Sequence, residues 1–175
     1  FLPWASGGDR DAYRSAEGIQ KMMAASANPA KLQETKRLLE EHAGEKVLIY
    51  CGWTDQGERW SDELGVPFIN GETSHSDREE AYEDLRNGDL QALIVSRVAD
   101  EGIDIPDVDV VVMASMLGGS KRQGTQRVGR VMRPLGGASA YLLATQGSSE
   151  EEYAREQMDY LRERGTSITE TTISA

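Results

Sequence analysis

The chain reads as an α/β domain with a mainly parallel central sheet covered by helices on both faces, and three features predict it. The runs Lys46–Cys51, Gln91–Val95 and Val108–Ala114 are near-continuous in Val, Ile and Leu rather than alternating, as in strands buried on both faces. Amphipathic stretches of helical length separate them, which parallel strands need as crossovers. Polar loops rich in Gly, Ser, Thr, Asp and Arg follow the apolar runs, at the strand ends where open parallel sheets bind ligands. At 175 residues the chain is long enough for one domain with a real core and too short for two full ones.

The elements follow in order. Phe1–Gly8 is irregular, with Pro3 and a Ser6-Gly7-Gly8 breaker. Asp9 is a candidate cap for a helix carrying Tyr13, Ile19, Met22 and Met23, interrupted at Asn28-Pro29. Lys31–His42 is a helix with Leu32, Leu38 and Leu39 on one face and Gly44 at the C-cap position. It feeds the Lys46–Cys51 strand. Gly52-Trp53-Thr54-Asp55 turns into a helix reaching Leu64, and Val66–Ile69 is a short strand. After the loop Gly71–His75, Ser76 with Glu79 reads as the capping box of a helix to about Arg86. Asn87-Gly88 turns the chain into the Gln91–Val95 strand and the loop 96–106. The β-branched run Val108–Ala114 reads as a central strand. Gly118-Gly119-Ser120 then turns into an arginine-rich helix, Ser139–Ala144 is a further strand, Ser149 to about Arg164 an amphipathic helix, and Gly165–Ala175 a frayed tail or linker.

Composition narrows the function. The net charge of −11 runs against a simple nucleic-acid binder, whose affinity rests on basic surface. Lysine occurs only at Lys21, Lys31, Lys36, Lys46 and Lys121. This acidic, lysine-poor composition resembles that of proteins from salt-loving organisms; the alternative is an ordinary acidic protein with its basic residues gathered on a working face. A single cysteine, Cys51, excludes an internal disulfide and a multi-cysteine zinc site, and its apolar neighbours predict a buried thiol. His42 and His75 have no partner at metal-ligand spacing, so no metal site is assigned. No apolar run approaches the roughly 20 residues of a membrane span, which predicts an intracellular protein, cytoplasmic or nucleoid-associated. The start at Phe1, without Met, predicts a piece of a longer protein.

Two stretches carry chemistry. In Gln126-Arg127-Val128-Gly129-Arg130-Val131-Met132-Arg133 three guanidinium groups recur at i, i+3 and i+6, crowding one helix face. Such a cluster suits an anion such as phosphate, or else pairs with the many acids as a solvated basic face. The loop Ser96–Pro106 holds a hydroxyl, Arg97, the acids Asp100, Glu101 and Asp104, and Gly102. By itself it reads as an acidic turn or a ligand loop. It is not a Walker B element, because the acids do not end the strand and no Gly-x-x-x-x-Gly-Lys-[Ser/Thr] accompanies them. Trp53, just after a strand, either stacks on a base or packs on a neighbouring helix.

Together, Gln-Arg-x-Gly-Arg-x-x-Arg and Asp-Glu-Gly-Ile-Asp-x-Pro resemble motifs VI and V of superfamily 2 helicases and translocases, with wording close to the XPB branch. The resemblance covers about residues 31–146 in order and spacing. It implies the second RecA-like motor domain of an ATP-dependent DNA helicase or duplex translocase in DNA repair or transcription. ATP and Mg²⁺ would be bound mainly by a first RecA-like domain of the same protein, without which this chain is inert. Arg130 and Arg133 would reach the γ-phosphate, with Gly102, Asp104, Gln126 and Arg127 beside the nucleotide. Gly52, Thr54, Gly71, Thr73, Ser74, Ser96 and Arg97 would line the DNA track. Trp53 departs from the branch, which usually has a smaller or basic residue there. The expected domain is 31–164, with 1–30 of unassigned role and 165–175 as tail. Two rivals stand beside this reading: an RNA helicase or restriction-enzyme motor, and a non-catalytic α/β module that binds a protein through its arginines.

Overall fold

The computed structural model describes residues 18–96, 107–115, 139–163, 165 and 167–173. Two helices, α1 (Gly18–Ser26) and α2 (Pro29–Glu41), lead into β1 (Val47–Cys51). Then come α3 (Thr54–Leu64), β2 (Phe68–Ile69), α4 (His75–Asn87), β3 (Ala92–Ser96), β4 (Val110–Met113), β5 (Ser139–Leu142) and α5 (Ser149–Arg162). Among the described residues the strands make one five-stranded parallel sheet in the order β2-β3-β1-β4-β5.

The unbroken apolar runs find their reason in this arrangement. Alternate residues of β1, β3 and β4 point to opposite faces and meet a helix layer on each. Leu48, Tyr50, Leu93, Val95, Val111 and Met113 pack with Tyr82 and Leu85 of α4 and Ala154 of α5. Val47, Ile49, Ile94, Val110 and Val112 pack with Leu32 and Leu38 of α2 and Trp60 of α3. The run Val108–Ala114 is interior, as its β-branching predicts, but the middle position belongs to β1.

Local signals place the helix ends with three corrections. The cap of α4 is Ser74, not Ser76: the Ser74 hydroxyl accepts from the Asp77 amide at 3.1 Å and the helix starts at His75. Both serines head a Ser-x-x-acid pattern, and the one with non-helical backbone dihedrals takes the cap. Helix α2 starts two residues early, since Asn28 caps it through Ala30 N at 3.0 Å and Pro29 occupies the first turn, where a missing N–H costs nothing. Its C-cap is His42 rather than Gly44. Gly88, in the left-handed region at φ 85°, closes α4 as the Asn-Gly turn predicts. At Gly57 the need is for space: a Cβ there would lie 2.3 Å from the ring of Phe68, so α3 sits on β2 only because the side chain is absent.

Candidate functional site at the carboxyl edge of the sheet

Because all five strands run the same way, the loops after them gather on one edge. Cys51 and Ser96 are register partners that end β1 and β3, and Tyr50 pairs with Met113 near the end of β4. Gly52 and Trp53 follow β1, and Trp53 opens α3 without a side-chain cap, in contrast to the capped starts of α2, α4 and α5. The first amides of α3, with exposed Thr54 among them, have no cap from the Trp53 side chain and lie at the positive end of the helix dipole. At the end of β3, the Ser96 hydroxyl is buried with no hydrogen-bond partner among the described residues.

The loop before α4 is wired from within. Asn70 Oδ1 accepts from the amides of Glu72 and Thr73, and Thr73 Oγ1 accepts from Asn70 N. Arg78 Nη2 donates to the carbonyls of Asn70 and Thr73, so this guanidinium clamps the loop. Gly71 and Ser74 are exposed at its tip, and Ser74, which accepts the Asp77 amide, keeps its own hydroxyl proton for solvent or a ligand.

Beneath the same edge lies a buried polar cluster. Lys31 Nζ donates to both carboxylate oxygens of Glu150 at 2.8 and 2.6 Å and to the carbonyl of Ala114 at 2.9 Å. Glu150, fully buried, also accepts from Ser26 Oγ at 3.1 Å and from Thr145 N at 3.0 Å. Ser26 Oγ in turn accepts from Trp53 Nε1 at 3.1 Å, while its carbonyl accepts from Gln56 Nε2 at 2.9 Å. Gln56 Oε1 accepts from Ser115 Oγ. Asn28 and Thr145 complete the group, Thr145 Oγ1 donating to Ala25 O at 2.7 Å and accepting from Asn28 Nδ2 at 3.2 Å. Burial pulls the Lys31 ammonium below the usual lysine range, against the attraction of Glu150. Burial also pushes the Cys51 thiol up to about 12, with the nearby Lys31 charge opposing it, and Cys51 is the buried thiol its neighbours predict.

Of the residues the sequence singles out, Gly52, Thr54, Gly71, Thr73, Ser74 and Ser96 come together on this edge. Arg97, Gly102, Asp104, Gln126, Arg127, Arg130 and Arg133 lie outside the described residues. Trp53 resolves toward packing, since its indole N–H is tied to Ser26 at the end of α1. Sequence reasoning missed Ser26, Asn28, Lys31, Gln56, Thr145 and Glu150. Lys31 carried one signal: with Thr35 and Leu38 it occupies i, i+4 and i+7, a lysine set in the buried stripe of its helix. Among the described residues no group of three or more His, Cys, Asp or Glu is placed to hold a metal ion, and no helix is long and apolar enough to cross a membrane.

Comparison with known proteins gives the site a context. A family profile described as ERCC3/RAD25/XPB C-terminal helicase matches residues 10–173. A protein of Halobacterium salinarum named as a Rad25-type DNA 3'-5' helicase is 44% identical over 174 residues, covering 99% of this chain and 29% of that protein. Its namesake in Haloarcula marismortui is 44% identical over 175 residues, covering 100% of this chain and 28% of the other. The chain thus spans less than a third of the length of these relatives. Among solved structures, the C-terminal domain of the DEAD-box protein Dbp5 superposes with a TM-score of 0.67 at 19% identity, over 78% of this chain and 81% of that one. That likeness establishes the RecA-like fold.

Proposed function

The chain belongs to the ERCC3/RAD25/XPB C-terminal helicase family, and on that premise we propose that it is the second motor domain of an ATP-dependent DNA helicase or duplex translocase serving repair or transcription. The match over residues 10–173 carries the proposal. The parallel sheet supports it by gathering the described track residues on one edge, and the relatives named for DNA 3'-5' helicases support the choice of DNA.

In this reading ATP occupies a cleft between the chain and a first RecA-like domain, which provides the phosphate loop, the Mg²⁺ ligands and the catalytic acid. The donor set fits that division of labour. This sequence has no phosphate-loop lysine motif, whereas it concentrates arginines suited to phosphate oxygens at 127, 130 and 133. Arg130 and Arg133 approach the γ-phosphate, and Gly102, Asp104, Gln126 and Arg127 line the nucleotide side. Bound nucleotide supplies the phosphoryl group; the arginines of this chain supply charge that stabilises its transfer.

Gly52, Thr54, Gly71, Thr73, Ser74, Ser96 and Arg97 form the nucleic-acid track. The start of α3, which Trp53 leaves without a side-chain cap, and the exposed Ser74 hydroxyl each offer a donor to a phosphate strand, and the Ser96 hydroxyl has no partner among the described residues. The motor domain spans 31–164, with α1 docked on it through Ser26 and 165–175 as tail or linker. The protein works inside the cell, in the cytoplasm or on the nucleoid, and its acidic composition together with its haloarchaeal relatives fits a salt-adapted source.

The experiment is the ATPase rate of the full-length protein with duplex DNA, single-stranded DNA and RNA. Stimulation by DNA, strongest with duplex, is the expected result. Stimulation by RNA alone would move the chain to an RNA helicase, and nucleotide turnover indifferent to every nucleic acid would contradict the motor reading.

A further inference from the structure

We propose that Ser26 is a positioning residue for nucleic-acid binding: it ties the end of α1 to the first turn of α3 and so sets where Gly52 and Thr54 stand in the track. The inference rests on the track assigned above, and it gives α1 a part in the motor.

Three observations carry it. The first is how α3 begins. Helices α2, α4 and α5 have their starts held by the side chain of their own cap residue, whereas Trp53 makes no such bond. The Trp53 carbonyl accepts the Gly57 amide at 3.0 Å, so Trp53 is the first rung of the helix, and where its indole is fixed the first turn follows. Gly52 and Thr54 are its two chain neighbours.

The second is what fixes that turn. Trp53 Nε1 donates to Ser26 Oγ at 3.1 Å, and Gln56 Nε2 donates to Ser26 O at 2.9 Å. Trp53 and Gln56 stand at i and i+3, on one face of the turn, so a single residue of α1 holds it at two points. Both donors are side chains, so this hold does not occupy the first backbone amides of α3.

The third is what Ser26 stands on. Its hydroxyl, in a residue only 1% exposed, donates to Glu150 Oε1 at 3.1 Å, and Glu150 is paired with Lys31 of α2. The carbonyl of Ala25 accepts from Thr145 Oγ1 at 2.7 Å. Helix α1 buries this end, Ala25 and Ser26, and leaves Ile19 and Met23 exposed. A helix docked only for its apolar surface would bury those two instead.

Phosphate contacts reward groups that are in place before binding, and any ordering left to the complex lowers affinity. A bond that seats the turn is worth to DNA affinity no more than its own contribution, about three- to tenfold for a neutral hydrogen bond.

The test uses the full-length protein and reads two quantities: the duplex DNA concentration that half-maximally stimulates ATP hydrolysis, and kcat at saturating DNA. The variants are Ser26→Ala, Trp53→Phe and the two together, with folding checked by thermal unfolding. Phe keeps an aromatic ring and loses the N–H, so it breaks the tie while preserving any stacking on a base. Each single variant is expected to raise half-maximal DNA about three- to tenfold, with kcat at saturating DNA within about twofold of wild type. Lost stability alone, in a variant assayed below its unfolding transition, leaves half-maximal DNA where it was. The double variant is expected to match the more affected single, because both changes break one bond. If Ser26→Ala, which also takes a donor from Glu150, does not fold, Trp53→Phe carries the same readings. Half-maximal DNA unchanged in folded Trp53→Phe, a loss in kcat alone, or effects that multiply in the double variant overturn the positioning role and leave the proposed function standing. Wild-type turnover indifferent to DNA overturns the proposed function, and this inference with it.

Discussion

Replacing Lys31 alone by Met tests the buried cluster as a piece of physical chemistry. The substitution keeps most of the volume but removes the donor of three hydrogen bonds, to Ala114 O and to both oxygens of Glu150. Glu150, wholly buried, then loses the ammonium it meets at 2.6 and 2.8 Å. Breaking a buried pair in this way costs about 3–5 kcal/mol, far more than the pair contributes over an apolar substitute. For a chain of this size each kcal/mol lowers Tm by about 2–4 °C, so the expected fall is roughly 6–20 °C. Adding Glu150→Gln removes the buried carboxylate charge that faced Lys31 while keeping an acceptor, and most of the loss is expected to return. Thermal and urea unfolding of the 175-residue chain at neutral pH measures both variants. A single-variant cost below about 1 kcal/mol, or a double variant no more stable than the single, would refute the reasoning.

Three further outcomes follow from the structure. Gly57→Ala drives a methyl into the Phe68 ring and is expected to cost about 1–3 kcal/mol, with partial recovery in Gly57→Ala/Phe68→Leu; equal stability of wild type and Gly57→Ala would mean that the ring moves aside freely. Cys51 has its thiol raised from 9.0 to about 12, so between those values the unfolded chain ionises while the folded one stays protonated; the stability present below pH 9 is lost with rising pH, by up to about 4 kcal/mol near pH 12. Paired unfolding curves of wild type and Cys51→Ala between pH 8 and about 11 read this term, and parallel pH slopes would contradict it. Finally, a chain of net charge −11 repels itself, so Tm is expected to rise steeply from low to molar KCl, and a midpoint indifferent to KCl would leave the acidity as mere composition.

The parts of this fold that sequence reveals are those fixed by local chemistry. Apolar runs at 47–51, 92–95 and 110–113 mark strands buried on both faces because side chains on either face meet a helix layer. Strand order is different, because it depends on which helix layer each crossover joins, and nothing in β1 itself announces that it lies in the middle. Ser74 and Ser76 carry the same capping pattern, and only the backbone path into α4 separates them. The positions of Gly52, Thr54, Gly71, Thr73 and Ser74 at the carboxyl edge were legible as polar loops after strands. The cluster beneath them was not: Lys31 falls in the buried stripe of its helix, but Glu150 lies 119 residues away and no spacing pairs the two. Trp53 stood between two readings until its indole N–H found Ser26, a partner that spacing could not supply.

The central claim is that this chain contributes transition-state charge to a nucleotide held mainly by another domain, and kinetics of Arg130→Ala and Arg133→Ala in the full-length protein tests it most directly. Charge spreads over the phosphoryl oxygens as the bond to the leaving group breaks, so a guanidinium aimed there favours the transition state over bound ATP. Arginine fingers in nucleotide hydrolases are worth roughly 10³ to 10⁵ in kcat, or about 4–7 kcal/mol. The account predicts that either alanine variant collapses DNA-stimulated kcat while nucleotide Kd changes much less, with poor rescue by lysine, which keeps the charge and loses the fork. Near-normal turnover in both variants would contradict it and leave Arg127, Arg130 and Arg133 as a basic surface.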